Sequence, residues 1–356
     1  MSWLIVILGF CVLIILHELG HFSVAKAVGM RVEKFSLFFP PTLWKTRRGE
    51  TEYAIGAIPA GGYVRISGMN PSEELPDEVR DRAYHAQPVW KRMAVIAAGP
   101  LVNFIVAFLL LLLFYTAFGP RDLGVGPVQK GYPAYGKLHT GDKIVAVDGK
   151  AASPANSPQL IAAHTCAGKP VAGCRATTPA TLTVLRNGKR ITFRMFPVYD
   201  PKAGRTRVGF AYTDNGPRKP YSFSKAASTS ANNFWFITRE TVKLPAYIFN
   251  AQKRHEISGI VGVSDATHKA VSRDAGDAIF LFAVISLSLA VINLFPFLPL
   301  DGGHIFWAFV EFVRRRPVPY AVMERAGVIG FMLVIGLFIL GLTNDIDRLT
   351  SGTGVR

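Results

Sequence analysis

The residues best placed to do chemistry are His17, Glu18 and His21, in the run Leu16-His17-Glu18-Leu19-Gly20-His21. On a helix, side chains four apart share a face, so two imidazoles can converge on one Zn²⁺. Glu18 stands next to His17, where a carboxylate can take a proton from an attacking water. The setting sharpens this reading. No charged side chain precedes Glu18, and a charged group near the middle of a membrane helix costs about 2.5–3.5 kcal/mol. A helix end with polar residues at the interface would leave the spacing of four unexplained. Two histidines leave a catalytic zinc one protein ligand short. Asp301 is the leading candidate: it follows an apolar run broken by Pro296 and Pro299, precedes Gly302-Gly303, and lies just before Arg314-Arg315-Arg316. His304 is the runner-up, and N-capping of a final helix is the structural alternative for Asp301. Asn293, eight residues before Asp301, could donate to a developing oxyanion or hold substrate backbone, or simply bond a neighbouring helix. Asn103, in Ala98-Gly99-Pro100-Leu101-Val102-Asn103, is polar at membrane depth and serves either an interhelical bond or the metal site.

The elements that must position these residues are apolar runs. The chain has 356 residues, 50% of them hydrophobic, and a mean hydropathy of +0.27. That balance fits several membrane helices with a soluble domain. Spans are expected at about 3–28, 93–118, 278–294 and 322–342. The first lacks a basic start and a cleavage site ahead of the histidines, so it is expected to be retained. Residues 52–68 read as two short strands around Pro59-Ala60-Gly61-Gly62, a hairpin or re-entrant turn. Residues 121–200 read as a compact β-rich unit. An alternating strand at 143–149 closes in Asp148-Gly149, a short helix runs from 158 to 164, and a hairpin at 181–193 turns at Asn187-Gly188. Residues 234–244 read as an amphipathic helix, suited either to a membrane surface or to the soluble unit. Residues 257–263 read as a glycine-rich turn, and His255 and His268 as surface residues.

The expected fold is a polytopic α-helical membrane protein of about four transmembrane helices, with a membrane-associated β-hairpin and an inserted small β-rich extracytoplasmic domain. Its parts are an N-terminal membrane part (1–120), the inserted unit (121–200), a linker with the amphipathic helix (201–276) and a C-terminal membrane part carrying the third ligand (277–356). The formal charge is +16. Its lysines and arginines sit mostly beside apolar runs, so membrane lipid and orientation account for much of it, rather than nucleic acid. The basic loops after the first span and at Arg314 are expected in the cytoplasm, which puts the termini and 121–276 outside. Cys166 and Cys174 form a small-loop disulfide if that region meets an oxidising compartment, and are free thiols otherwise. Cys11 is expected only to pack.

His17-Glu18-Leu19-Gly20-His21, Gly99-Pro100 with Asn103, a soluble module between the second and third spans, and the stretch from Asn293 to Gly303 together resemble the site-2 protease family. The order of parts is similar to the bacterial regulator-of-sigma-E proteases and their actinobacterial relatives. The resemblance covers nearly the whole chain. It implies zinc held by His17, His21 and Asp301, Glu18 as the base, a PDZ domain at about 121–200, and a re-entrant β-hairpin near 53–67 that holds substrate extended. It implies a bacterial inner-membrane enzyme with its active site in the cytoplasmic half. Its substrates would be single-span membrane proteins, either an anti-sigma factor already cut by a site-1 protease or a leftover signal peptide. Three features depart from the family pattern: the second proline stands one place late in Pro296-Phe297-Leu298-Pro299, there is room for one PDZ module where relatives often have two, and Phe38-Phe39-Pro40-Pro41 replaces the usual glycine-rich entry. A different class, a non-catalytic PDZ-bearing membrane scaffold, has no need of Glu18. A zinc transporter would need a relay of further acidic or histidine residues along its spans.

Overall fold

The computed structural model describes residues 2–350 other than 71–72, 202, 215, 249, 251–253 and 255–256, so His255 lies outside the described residues. The chain forms two compact units, one built from the chain up to Ala117 and again from Ser222, the other from Phe118–Tyr221.

In the first unit, α1 (Ser2–Ala27) is apolar all round, and its polarity is inverted relative to a soluble helix. Val6, Leu13, His17, Gly20, His21 and Ala25 are buried, while Trp3, Leu4, Ile7, Leu8 and Val12 are exposed. Apolar side chains facing outward suit lipid, while His17 and His21 turn inward. The strands β1 (Val32–Arg48) and β2 (Thr51–Ile66) follow, then a single turn α2 (Asp77–Arg80). α3 (Val89–Leu113) contains Pro100 without breaking and continues as a wider turn, Phe114–Phe118. Its buried Ala98, Gly99 and Ala107 allow close helix approach.

The β segment differs from the expected hairpin. Residues 52–55 and 62–66 do not pair with each other. β1 lies between them: Leu37 stands opposite Gly62 on one side and Ile55 on the other, and Ser36 opposite Tyr63 and Ala54. The second half of β1 then pairs along 51–56, with Arg48 opposite Thr51. Val32 and Phe35 favour extended backbone in the first half of β1, and Pro40-Pro41 marks where β1 doubles back.

The second unit holds β3 (Gly124–Val128), β4 (Lys143–Val147), β5 (Lys150–Ala151), α4 (Ser157–Ala162), β6 (Ala180–Arg186), β7 (Lys189–Met195), β8 (Val198–Asp200), β9 (Arg205–Arg207) and β10 (Phe210–Thr213). An antiparallel sheet runs in the order β5-β4-β6-β7, with separate pairs β3–β10 and β8–β9. The β6–β7 turn falls at Asn187-Gly188, both at positive φ, as a two-residue hairpin of this composition requires. One core of Val125, Ile144, Val147, Ile161, Leu182, Val184 and Met195 fills the unit. Cys166 and Cys174 are joined by a disulfide. The unit extends past residue 200, because β10 pairs with β3 near its start; residues 201–221 therefore belong with it rather than with a linker.

The chain returns through α5 (Phe223–Val242) and α6 (Leu244–Ile248). Phe234 of α5 packs against Phe104 and Phe108 of α3, and Trp235 and Phe236 are exposed. α7 (Ile260–Arg273) begins inside the stretch expected to be only a turn. Asp345 supplies the reason, accepting hydrogen bonds from the Gly259 and Gly262 amides at 3.1 and 2.8 Å and so satisfying that helix start. His268 is half-buried and stacks on Trp3. α8 (Ala275–Asn293), α9 (Asp301–Arg314) and α10 (Tyr320–Thr350) complete the chain. Among the described residues, four helices are long and apolar enough to cross a membrane: α1, α3 with its continuation, α8, and α10 over Ala321–Asp347. Helices of this length and composition fit a polytopic membrane protein.

Candidate metal centre

Three elements meet where the chemistry is expected. α1 presents His17 and His21 one turn apart on its buried face. α8 ends at Asn293, the prolines at 296 and 299 keep the next residues out of helix, and α9 starts at Asp301. Asp301 is thus the first residue of a helix that is not the last, and the N-cap position falls to Leu300.

The donor atoms form a nearly equilateral triangle. His17 Nε2 and His21 Nε2 are 3.3 Å apart, and Asp301 Oδ2 lies 3.3 Å from the first and 3.4 Å from the second. Tetrahedral zinc bonds of about 2.0–2.1 Å put neighbouring donors about 3.3 Å apart, so the triangle fits the ion. Asp301 Oδ2 is buried and makes no hydrogen bond, an orphan that a cation would satisfy. Among the described residues this is the one cluster with metal-ligand spacing, and it takes Asp301 rather than His304.

Neighbouring groups fix the two histidine rings. His21 Nδ1 donates to the Val95 carbonyl of α3 at 2.9 Å, which leaves Nε2 as the lone-pair nitrogen. α3 lies flat on that ring at Gly99: a Cβ there would come within 2.8 Å of His21 Cδ2 and closer still to Nε2. Asn103, fully buried, brings its amide to 3.2 Å from His17 Nδ1. Asn293 brings its amide nitrogen to 3.4 Å from His17 Nε2. On the Glu18 side, β2 passes at Gly62, where a Cβ would meet Glu18 Cγ at 2.9 Å. A bidentate ion pair ties α9 to α3, with Arg92 donating to Glu311 at 2.6 and 3.0 Å. The contacts at Gly99 and Gly62 are not legible in the sequence, where Gly99-Pro100 stands out only as a motif.

The model of peptidase family M50 matches residues 5–337, nearly the whole chain. The chain belongs to peptidase family M50. Relatives agree along its length. A protein of Nostoc sp. with a provisional zinc-metalloprotease name is 32% identical over 99% of this chain and 97% of its own. Zinc metalloprotease Rip1 of Mycobacterium tuberculosis is 29% identical over 95% of both chains. Glu18, beside His17, is the only carboxylate of α1.

Proposed function

We propose that this zinc metalloendopeptidase cleaves the transmembrane segments of single-span membrane proteins, with His17, His21 and Asp301 holding the zinc and Glu18 as general base. The observation that carries the reading is the donor triangle built from a membrane helix and the helix that follows α8, with sides that match tetrahedral zinc. Zinc, when bound, supplies a Lewis acid that lowers the pKa of water and polarises a carbonyl. Glu18 takes a proton from the attacking water and returns it to the leaving nitrogen as the C–N bond breaks. The Asn293 side-chain N–H groups donate to the oxyanion that forms on the former carbonyl. A helical substrate hides its carbonyls in its own hydrogen bonds, so it must be held extended. Residues 62–66 pair with β1 on one side and pass Glu18 at Gly62, which supports substrate binding by strand addition at this edge.

The inserted unit, an antiparallel sheet with one short helix, is read as a PDZ-like domain that limits access to substrates already cut once. The Cys166–Cys174 disulfide supports an oxidising, extracytoplasmic setting for it, and the basic loops support a cytoplasmic setting for the active-site half. The setting is then the bacterial inner membrane, and the substrate class an anti-sigma factor or similar single-span protein trimmed by a site-1 protease.

Cleavage of a single-span model substrate in detergent tests the reading. Wild type should cut, and Glu18→Gln should lose roughly 10²–10⁴-fold while keeping its zinc. A chelator should stop the wild type, and added zinc should restore it. Cleavage by Glu18→Gln at the wild-type rate would overturn the assignment of the base, and wild-type protein without bound zinc would overturn the metal site.

A further inference from the structure

His21 and His17 are oriented by different kinds of group. The Nδ1 of His21 is fixed by a backbone carbonyl, that of Val95. The Nδ1 of His17 meets a side chain, the Asn103 amide, with Nδ2 at 3.2 Å. As placed, Asn103 Oδ1 is buried without a hydrogen-bond partner. Asn103 itself is fully buried, so that orphan acceptor is costly.

A ligand role for His17 decides which way the Asn103 amide must face. If Nε2 holds a metal, the one proton of neutral imidazole must sit on Nδ1, which then donates. Its partner has to be an acceptor. A half-turn of the Asn103 amide brings Oδ1 to His17 Nδ1 and leaves Nδ2 in the place Oδ1 now holds. The asparagine backbone is independently fixed, since its carbonyl accepts from Ser286 Oγ of α8 at 2.9 Å. α8 thus holds α3 at the point where α3 would hold the metal ligand on α1.

We propose that Asn103 is a positioning residue for the metal centre: its side-chain oxygen accepts from His17 Nδ1 and sets the tautomer that presents Nε2. This rests on the ligand set assigned above. The side chain does not touch substrate, and its effect passes through His17.

The test compares full-length wild type, Asn103→Leu and Asn103→Asp in detergent. The readouts are zinc affinity by competition with a chromophoric chelator, the ligand-field spectrum of Co²⁺-loaded protein, and the melting midpoint of metal-free protein. Asn103→Asp can only accept from His17, so it should bind zinc within a few-fold of wild type. Asn103→Leu should lose roughly 10–100-fold in affinity, with an altered Co²⁺ spectrum. The metal-free midpoints check that both variants fold. If Leu fails to fold, Asn103→Asp alone decides, because loss of affinity in a folded Asp variant means that Asn103 donates and the proposal is wrong. Equal affinities in all three proteins would also overturn it. Wild type with no zinc would instead refute the ligand set and not this role in particular.

Discussion

Replacing Gly99 by alanine should disable the metal centre without touching a ligand or a charge. The new Cβ would lie 2.8 Å from His21 Cδ2 and nearer still to Nε2. Carbon atoms rest at about 3.5–4.0 Å, so the ring or α3 must retreat by roughly 1 Å. The donor triangle has sides of 3.3–3.4 Å, and a metal site tolerates only about 0.2 Å of error in its bonds. A retreat of α3 gives no relief, because Val95 and Asn103, which meet the two imidazoles, move with it. We expect zinc affinity to fall by at least an order of magnitude, and cleavage by about 10²-fold, the usual cost of a 1 Å misplacement. Zinc competition and single-turnover cleavage on purified protein measure the two. The control is Gly9→Ala, whose Cβ would crowd the Phe282 ring on α8. It lies twelve residues from His21 on the same helix, about 18 Å away, and should cost stability while leaving zinc affinity of the folded protein intact. Wild-type affinity and cleavage in Gly99→Ala would refute the claim that the α1–α3 contact sets the geometry of the site.

Three further outcomes follow from named contacts. Asn293→Ala should keep its zinc and lose roughly 10²–10³-fold in kcat if the amide stabilises the oxyanion; a change in KM alone would argue for substrate holding instead. Glu311→Gln leaves the Arg92 guanidinium half-satisfied in a largely buried place and should cost about 3 kcal/mol, read as a lower melting midpoint in detergent, and the double change Arg92→Met with Glu311→Met should recover part of that loss. In the inserted unit, burial pushes the Asp142 carboxyl up, but the Arg186 guanidinium and the His139 amide outweigh it and hold the group below its ordinary value. The folded value is thus depressed, so the stabilisation is full above about pH 4 and is lost as pH falls through the folded value. Asp142→Asn should flatten that acid limb in urea midpoints followed by near-ultraviolet circular dichroism. Equal pH dependence in wild type and variant would show that the pair does not matter to stability.

The features legible from the residues alone obey local rules. The four long apolar helices come from composition alone. The i, i+4 spacing of His17 and His21 guarantees that they share a helix face, and the two prolines before Asp301 guarantee a break that frees its carboxylate. Asn187-Gly188 announces its own turn, because few other pairs accept positive φ twice. Tertiary structure decided the rest, since those features depend on what arrives from elsewhere in the chain. Nothing local shows that residues 32–37 insert between 52–55 and 62–66, because strand order is fixed by pairing across the sheet. The helix that starts at Ile260 looks like a turn until Asp345, more than eighty residues on, satisfies its first amides. The pairing of β10 with β3 extends the inserted unit to residue 221. Which of Asp301 and His304 completes the donor triangle, and that Asn103 meets His17, were open in the sequence because each depends on how α3, α8 and α9 pack against α1. Gly99 and Gly62 carry no side chain to read; their meaning lies in what passes close to them.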